Sequence, residues 1–145
     1  MNILVRQLTK DRIQDFLKKI DLHFIPFPLS NRVDLKLFSE KLADYAVHFS
    51  IEDDNQLIGL CCTYINDSEK KSAFISIVCL DPNYCGIGLG KRLIQECENY
   101  AKKRSYKSIA SEVHIENLPS IKMFKAIGYY IEKQENESLF MKKLI

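Results

Sequence analysis

Apolar positions along the chain change their period several times, and each change marks an element. Thr9 can cap a helix on which Ile13, Phe16, Leu17 and Ile20 share one face, so a helix is expected to about Ile20. Residues 2–8 ahead of it read as a strand. Residues 22–33 break the pattern with Pro26 and Pro28 and carry Phe24 and Phe27, as an irregular connection would. Leu35, Phe38, Leu42 and Tyr45 then set out the buried stripe of a second amphipathic helix.

Three strands in hairpin order follow. Val47, Phe49 and Ile51 alternate within 46–52, the turn Asp53-Asp54-Asn55 leads into 57–65, and a polar turn at 66–71 leads into 73–80. The last reads Ala-Phe-Ile-Ser-Ile-Val-Cys-Leu, almost continuously apolar, which places it in the centre of a sheet. Behind it Leu89, Leu93, Ile94, Cys97 and Ala101 recur at helical spacing. Residues 108–115 form another strand, and Leu118 to Ile127 a short helix that Gly128 can stop. A final hairpin, 129–134 and 139–144, turns at Glu135-Asn136-Glu137-Ser138. This order predicts a mixed α/β fold of about seven strands and four helices with one parallel crossover. No repeat or linker interrupts it, so 1–145 is expected to be one domain.

Composition narrows the function classes. An apolar fraction of 46% with 28% charged residues is ordinary for a globular chain. A net charge of +2 lacks the basic excess of a dedicated nucleic-acid binder. Lys102, Lys103 and Arg104 fall at a helix end, where they complement the dipole. No apolar run approaches bilayer length, and the opening Met-Asn-Ile-Leu-Val-Arg reads as a strand rather than a signal peptide. A cytoplasmic protein with neither a nucleic-acid nor a membrane partner is expected. The five cysteines are odd in number and lack C-x-x-C spacing, so neither a disulfide framework nor a metal site is expected. Cys61, Cys62, Cys79 and Cys97 sit in apolar patterns. Cys85 does not.

Residues 78–91 carry the chemistry. The strand ends in Asp81-Pro82, Gly86, Gly88 and Gly90 follow at alternate positions, and a helix begins at once. Glycine allows consecutive N–H groups to point one way, and a helix N-terminus adds unpaired N–H groups and the positive end of a dipole. Such a loop can hold a pyrophosphate without a basic side chain. Two nucleotide motifs fail on spacing. G-x-G-x-x-G would need its third glycine one residue later than Gly90, and a Walker loop would need glycine at Cys85 and Ser or Thr at Arg92. A strand–helix connection that happens to be glycine-rich remains an alternative. Beside those N–H groups, the Cys85 thiol is expected to have a lowered pKa.

Two segments resemble the GCN5-related N-acetyltransferase (GNAT) family. They are Leu-Asp-Pro-Asn-Tyr-Cys-Gly-Ile-Gly-Leu-Gly and Glu-Val-His-Ile-Glu-Asn-Leu-Pro-Ser-Ile-Lys-Met-Phe-Lys-Ala-Ile-Gly-Tyr. The family's Q/R-x-x-G-x-G/A loop would correspond to Cys85-Gly86-Ile87-Gly88-Leu89-Gly90, and its second signature to Asn117, Phe124, Gly128 and Tyr129. The order of elements agrees over essentially the whole chain. The resemblance implies an acetyl-CoA-dependent N-acetyltransferase whose cosubstrate lies where 73–80 and 108–115 splay apart. Its contacts would be Val78, Cys79 and Leu80 on the strand, Cys85, Gly86, Ile87, Gly88, Leu89, Gly90 and Lys91 in the loop, then Asn117 and Phe124. Asn117 can also serve as the cap of the following helix.

Acetyl transfer to an amine needs a base for the incoming ammonium and an acid for the leaving thiolate. Alternation along 110–116 puts Glu112, His114 and Glu116 on one face of the strand. In the family's ribosomal-protein alanine N-acetyltransferases a glutamate five residues before the asparagine is the base, which makes Glu112 the first candidate. His114 is the second, because an imidazole titrates near neutrality. Many relatives carry a proton-donating tyrosine where this chain has Phe124. Tyr129 and Tyr130 could substitute, although each could equally be packing. Cys85 stands in place of the family's Gln or Arg. No Cys–His spacing favours a covalent route.

The expected reaction is direct transfer to a primary amine in a ternary complex. The acceptor is a small molecule such as an amino sugar, a polyamine or an amino acid; a protein N-terminus or lysine is the alternative. A weakly active CoA-binding regulatory domain is a third reading, for which Phe124 is the argument. Residues 24–33 are similar to acetyltransferases associated with bacterial surface-polysaccharide synthesis. Arg32, within them, could face an anionic acceptor or simply solvent.

Overall fold

In the computed structural model, which describes residues 1–145, seven strands form one sheet in the order β1-β2-β3-β4-β5-β7-β6. The strands are β1 Ile3–Val5, β2 Val47–Asp53, β3 Gln56–Tyr64, β4 Ser72–Leu80, β5 Ser108–His114, β6 Tyr130–Glu135 and β7 Ser138–Leu144. The helices are α1 Lys10–Ile20, α2 Leu35–Tyr45, α3 Leu89–Lys103 and α4 Leu118–Ala126. Every pair is antiparallel except β4–β5, which α3 connects. The expected mixed α/β fold and its single parallel crossover are therefore present, with β4 in the middle of the sheet.

Thr9 caps α1 by accepting the Arg12 N–H at 3.2 Å, and the four apolar residues of its predicted face are all buried. On one side of the sheet, α1 and α2 cover Leu57, Leu60, Cys62 and Ile77. On the other, α3 packs on Phe49, Ile51, Cys61 and Ile75 through Leu89, Leu93, Ile94, Cys97 and Ala101.

Two expectations need correction. Strand β1 spans only Ile3–Val5, because the Leu8 N–H leaves the ladder and donates to His48 Nδ1 at 2.9 Å. Tyr45 is 64% exposed, and α2 instead buries Ser39, Leu42 and Ala43. The steps from Leu35 to Tyr45 average less than the 3.6-residue turn, so that stripe winds away from the core before the helix ends.

The feature that positions the site is a bulge. Cys62 pairs with Ile77 and Thr63 with Ile75, so Ser76 is an extra residue on β4. Parallel pairing with β5 covers only Ser72–Ile75 against Ser108–Ser111. Strands β4 and β5 therefore part where the bulge bends β4. The expected splay between them lies there, in mid-sheet.

Candidate active site

At the fork, Ser111 Oγ donates to the Ile75 carbonyl at 3.1 Å, on the last paired rung. Just past β4, the Asp81 N–H donates to the Ile58 carbonyl at 2.7 Å, toward β3. Backbone polar groups alternate along a strand, so those of Val78 and Leu80 point the other way, into the notch.

Three cavities meet at this point. One of about 80 Å³ lies in the fork itself, among Ser76, Val78, Glu112, His114, Asn117 and Phe124. A second, about 190 Å³, runs toward the glycine loop past Val78, Cys79, Leu80, Cys85, Asn117 and Ser120. Phe24 and Ile25, from the connection before α2, line both. A third, about 250 Å³, opens on the α2 side and shares Arg32, Ser76, Ile77 and Glu112 with the fork. The fork cavity thus links the loop-side cavity to the α2-side one.

The loop is held from below. Asp81 is 4% exposed, accepts the Asn83 N–H at 2.9 Å, and pairs with Lys19 at 3.0 Å. These contacts hold its carboxyl below the ordinary range, the backbone N–H first and Lys19 second. Gly86 and Gly88 both adopt φ +83°, and Gly88 is the N-cap of α3. Gly90 serves another purpose. It lies inside α3, and a Cβ there would stand 3.2 Å from Met123 Sδ on α4. The N–H groups of residues 86 to 91 meet no acceptor within the chain. The Ile87 and Lys91 side chains are exposed beside this cradle, and that of Leu89 is buried beneath it. Its donors suit a pyrophosphate.

Cys85 differs from expectation. Its thiol is pushed up by partial burial, and further by the nearby Asp81 carboxylate, while Sγ points back to the Asp81 carbonyl at 3.8 Å. Burial first and the Asp81 carboxylate second both work against a thiolate at this sulfur.

Glu112 is exposed on β5, lines both the fork and the α2-side cavity, and makes no hydrogen bond or ion pair with protein. His114 is fully engaged. Its Nδ1 accepts the Glu116 N–H at 3.1 Å, its Nε2 lies 3.2 Å from Glu137 Oε2, and Phe27 meets its ring edge-on at 5.7 Å. The imidazole lone pair is already used, so as a base it would first have to give up the Glu116 N–H. Glu116 lies in the turn beyond β5, off the face it was expected to share.

Asn117 caps α4, its Oδ1 accepting the Ser120 N–H at 3.3 Å, which leaves its amide nitrogen free toward the cavities it lines. Phe124 is 1% exposed, packs edge-on against Tyr129 at 4.9 Å, and reaches the fork. Tyr129 turns the other way. Its hydroxyl donates to Glu98 Oε2 at 2.8 Å, and burial, then Glu98, push the phenol far up. Tyr130 is exposed on the edge strand β6. Neither tyrosine lines the fork. Sequence reasoning did not find the roles of Ser76 and Ser111.

The sequence matches the acetyltransferase (GNAT) family over residues 13–129. An uncharacterized N-acetyltransferase of Methanocaldococcus jannaschii is 27% identical over 139 residues, covering 86% of this chain and 59% of the relative. The chain spans a little over half the length of the curated relatives it matches. The PaiA N-acetyltransferase of Thermoplasma acidophilum, in complex with coenzyme A, superposes with a TM-score of 0.76 at 16% identity, over 100% of both chains. The ribosomal-protein-S18-alanine N-acetyltransferase of Escherichia coli superposes at 0.78 with 17% identity, over 99% of this chain and 94% of that one.

Proposed function

The chain belongs to the acetyltransferase (GNAT) family, and we propose that it transfers acetyl from acetyl-CoA to a small primary amine, by direct attack in a ternary complex. One observation carries this reading. Adjoining cavities run from Cys85, at the start of the loop whose N–H groups 86 to 91 are unpaired, to the unpaired carboxylate of Glu112.

Acetyl-CoA supplies an activated acetyl thioester. The cradle at Gly86, Ile87, Gly88, Leu89, Gly90 and Lys91 binds its pyrophosphate through backbone donors. Val78 and Leu80 offer strand-like hydrogen bonds to the amide-bearing arm, Cys79 and Cys85 flank it, and Asn117 meets it from α4. At the far end Glu112 takes a proton from the acceptor ammonium, directly or through one water, and frees the nitrogen for attack on the thioester carbon. Phe124 presents only an apolar ring where the sulfur departs, so water supplies the proton that the thiolate needs. All five cysteines are free, which suits a reducing, cytoplasmic setting.

An amino sugar fits the small-acceptor class. A protein N-terminus is the second reading, favoured by the likeness to the Escherichia coli enzyme that acts on S18 alanine. A thiol-release assay with acetyl-CoA separates them. Turnover of small amines supports the first reading. Turnover of peptides alone supports the second, and CoA binding without any turnover leaves only a regulatory domain.

A further inference from the structure

Arg32 sits at the α2-side mouth of the notch and is not explained by the fold. Its backbone is well fixed. Leu29 is buried, the Asp21 carboxylate accepts the Ser30 N–H at 2.8 Å and the Ser30 hydroxyl at 2.6 Å, and the Arg32 N–H closes the 3₁₀ turn on the Leu29 carbonyl at 2.9 Å. Its guanidinium, by contrast, makes no hydrogen bond and no ion pair with protein. It lines the fork cavity and the 250 Å³ cavity beside it, and Glu112 lines the same two. A cation and an anion thus share one small cleft without pairing with each other. Ser76 lies between the cavities, and Leu29, Val33 and Phe38 make the apolar wall.

Two unpaired, opposite charges on one cleft are two attachment points for a ligand with both charges. A planar guanidinium recognises carboxylate and phosphate through paired N–H donors. We infer that the acceptor is a small primary amine carrying a carboxylate or phosphate, its ammonium at Glu112 and its anion at Arg32. This inference rests on the acetyl-transfer reading above and adds the chemical class of the acceptor. A polyamine, with no anion, would leave Arg32 unpaired and repelled. A peptide N-terminus has its own carboxylate at the far end of the chain, beyond a cleft of this size.

The test uses the whole 145-residue chain, saturating acetyl-CoA, and paired amines with and without the anion. The pairs are glucosamine and glucosamine 6-phosphate, ethanolamine and phosphoethanolamine, and free amino acids and their amides. The first two pairs report a phosphate and the third a carboxylate. The anionic member of at least one pair is expected to have the higher kcat/KM. Arg32→Ala should reduce that preference about 10- to 100-fold, mainly through KM, as loss of a charge-assisted hydrogen bond does. Arg32→Lys should restore part of it, and Arg32→Glu should reverse it. Unfolding temperature should not move, because the side chain has no protein partner. Equal efficiency within every pair, or a preference that Arg32→Ala does not alter, overturns the inference while leaving acetyl transfer intact. Turnover of peptides alone also overturns it. Failure of every amine to release CoA overturns the acetyl-transfer reading, and this inference with it.

Discussion

Ser111 Oγ donates to the Ile75 carbonyl at 3.1 Å, and this bond ties β5 to β4 at the last rung before they part. One residue on, Ser76 is the bulge that bends β4 away. One residue on from Ser111, Glu112 stands on the free part of β5. The fork, the backbone that faces into it and the carboxylate at its mouth are set by these few adjacent positions.

Gly88 tests the cradle. At φ +83° a β-branched side chain is strained, and relief of that strain would reorient the adjacent unpaired N–H groups. Gly88→Val should cost about 1–2 kcal/mol of stability and lower CoA affinity at least about tenfold, the loss of one net charge-assisted hydrogen bond. Calorimetry on the folded variant measures the affinity. An unchanged value would remove residues 86 to 91 as the pyrophosphate site.

Cys85 should be a slow thiol. Partial burial and the Asp81 carboxylate raise its pKa, so its thiolate fraction at pH 7.5 falls below that of a free cysteine, near 8.5 by the usual reference. Alkylation should run slower than for a small model thiol, and bound CoA should slow it further. Faster-than-model labelling, read by mass spectrometry, would mean that the helix N-terminus outweighs Asp81.

Asp81 links the loop to pH. Its folded-state pKa is depressed, so its contribution is present above the unfolded value, about 3.9, and is lost as pH falls through the folded value. Lys19 is half exposed and adds little, so the backbone bond to Asn83 dominates. Asp81→Asn should destabilise by about 1–2 kcal/mol at neutral pH, and the gap should narrow as the solution is acidified below about pH 4. Denaturant titrations at several pH values check this. A gap that grows on acidification would contradict the assignment.

Most of the fold was legible because α1 and α3 keep their apolar period and the hairpin turns are polar, with Asp54, Asn55, Lys71 and Asn136 taking the positive φ they need. Tyr45 was misread because a stripe of steps shorter than 3.6 residues drifts off the core. The glycine loop was legible as a turn into a helix with unpaired N–H groups, but its glycines divide the work. Gly86 and Gly88 supply positive φ, whereas Gly90 lets α3 approach Met123. The bulge at Ser76 was hidden, since a single extra residue leaves no mark in an apolar strand. The engagement of His114 by Glu116 and Glu137 was hidden too, because it depends on a turn and on a hairpin tip far along the chain.

Phe124 bears on the departing thiolate. The ring is buried against Tyr129 and reaches the fork, so Phe124→Tyr would add a hydroxyl beside the sulfur's expected place. kcat should hold or rise, and the alkaline limb of the pH–rate profile should move, as a new general acid would require. Loss of CoA binding in this variant would place the ring's far edge in the core instead.

The most direct test is Glu112→Gln at saturating acetyl-CoA, with kcat for one amine and CoA affinity measured on the same preparation. Removal of the base should lower kcat about 10²–10⁴-fold and leave CoA affinity nearly unchanged, the pattern of an interaction made in the transition state. His114→Gln should have a smaller effect, since its ring nitrogens are already engaged. A Glu112→Gln protein that turns over at the normal rate would contradict the account.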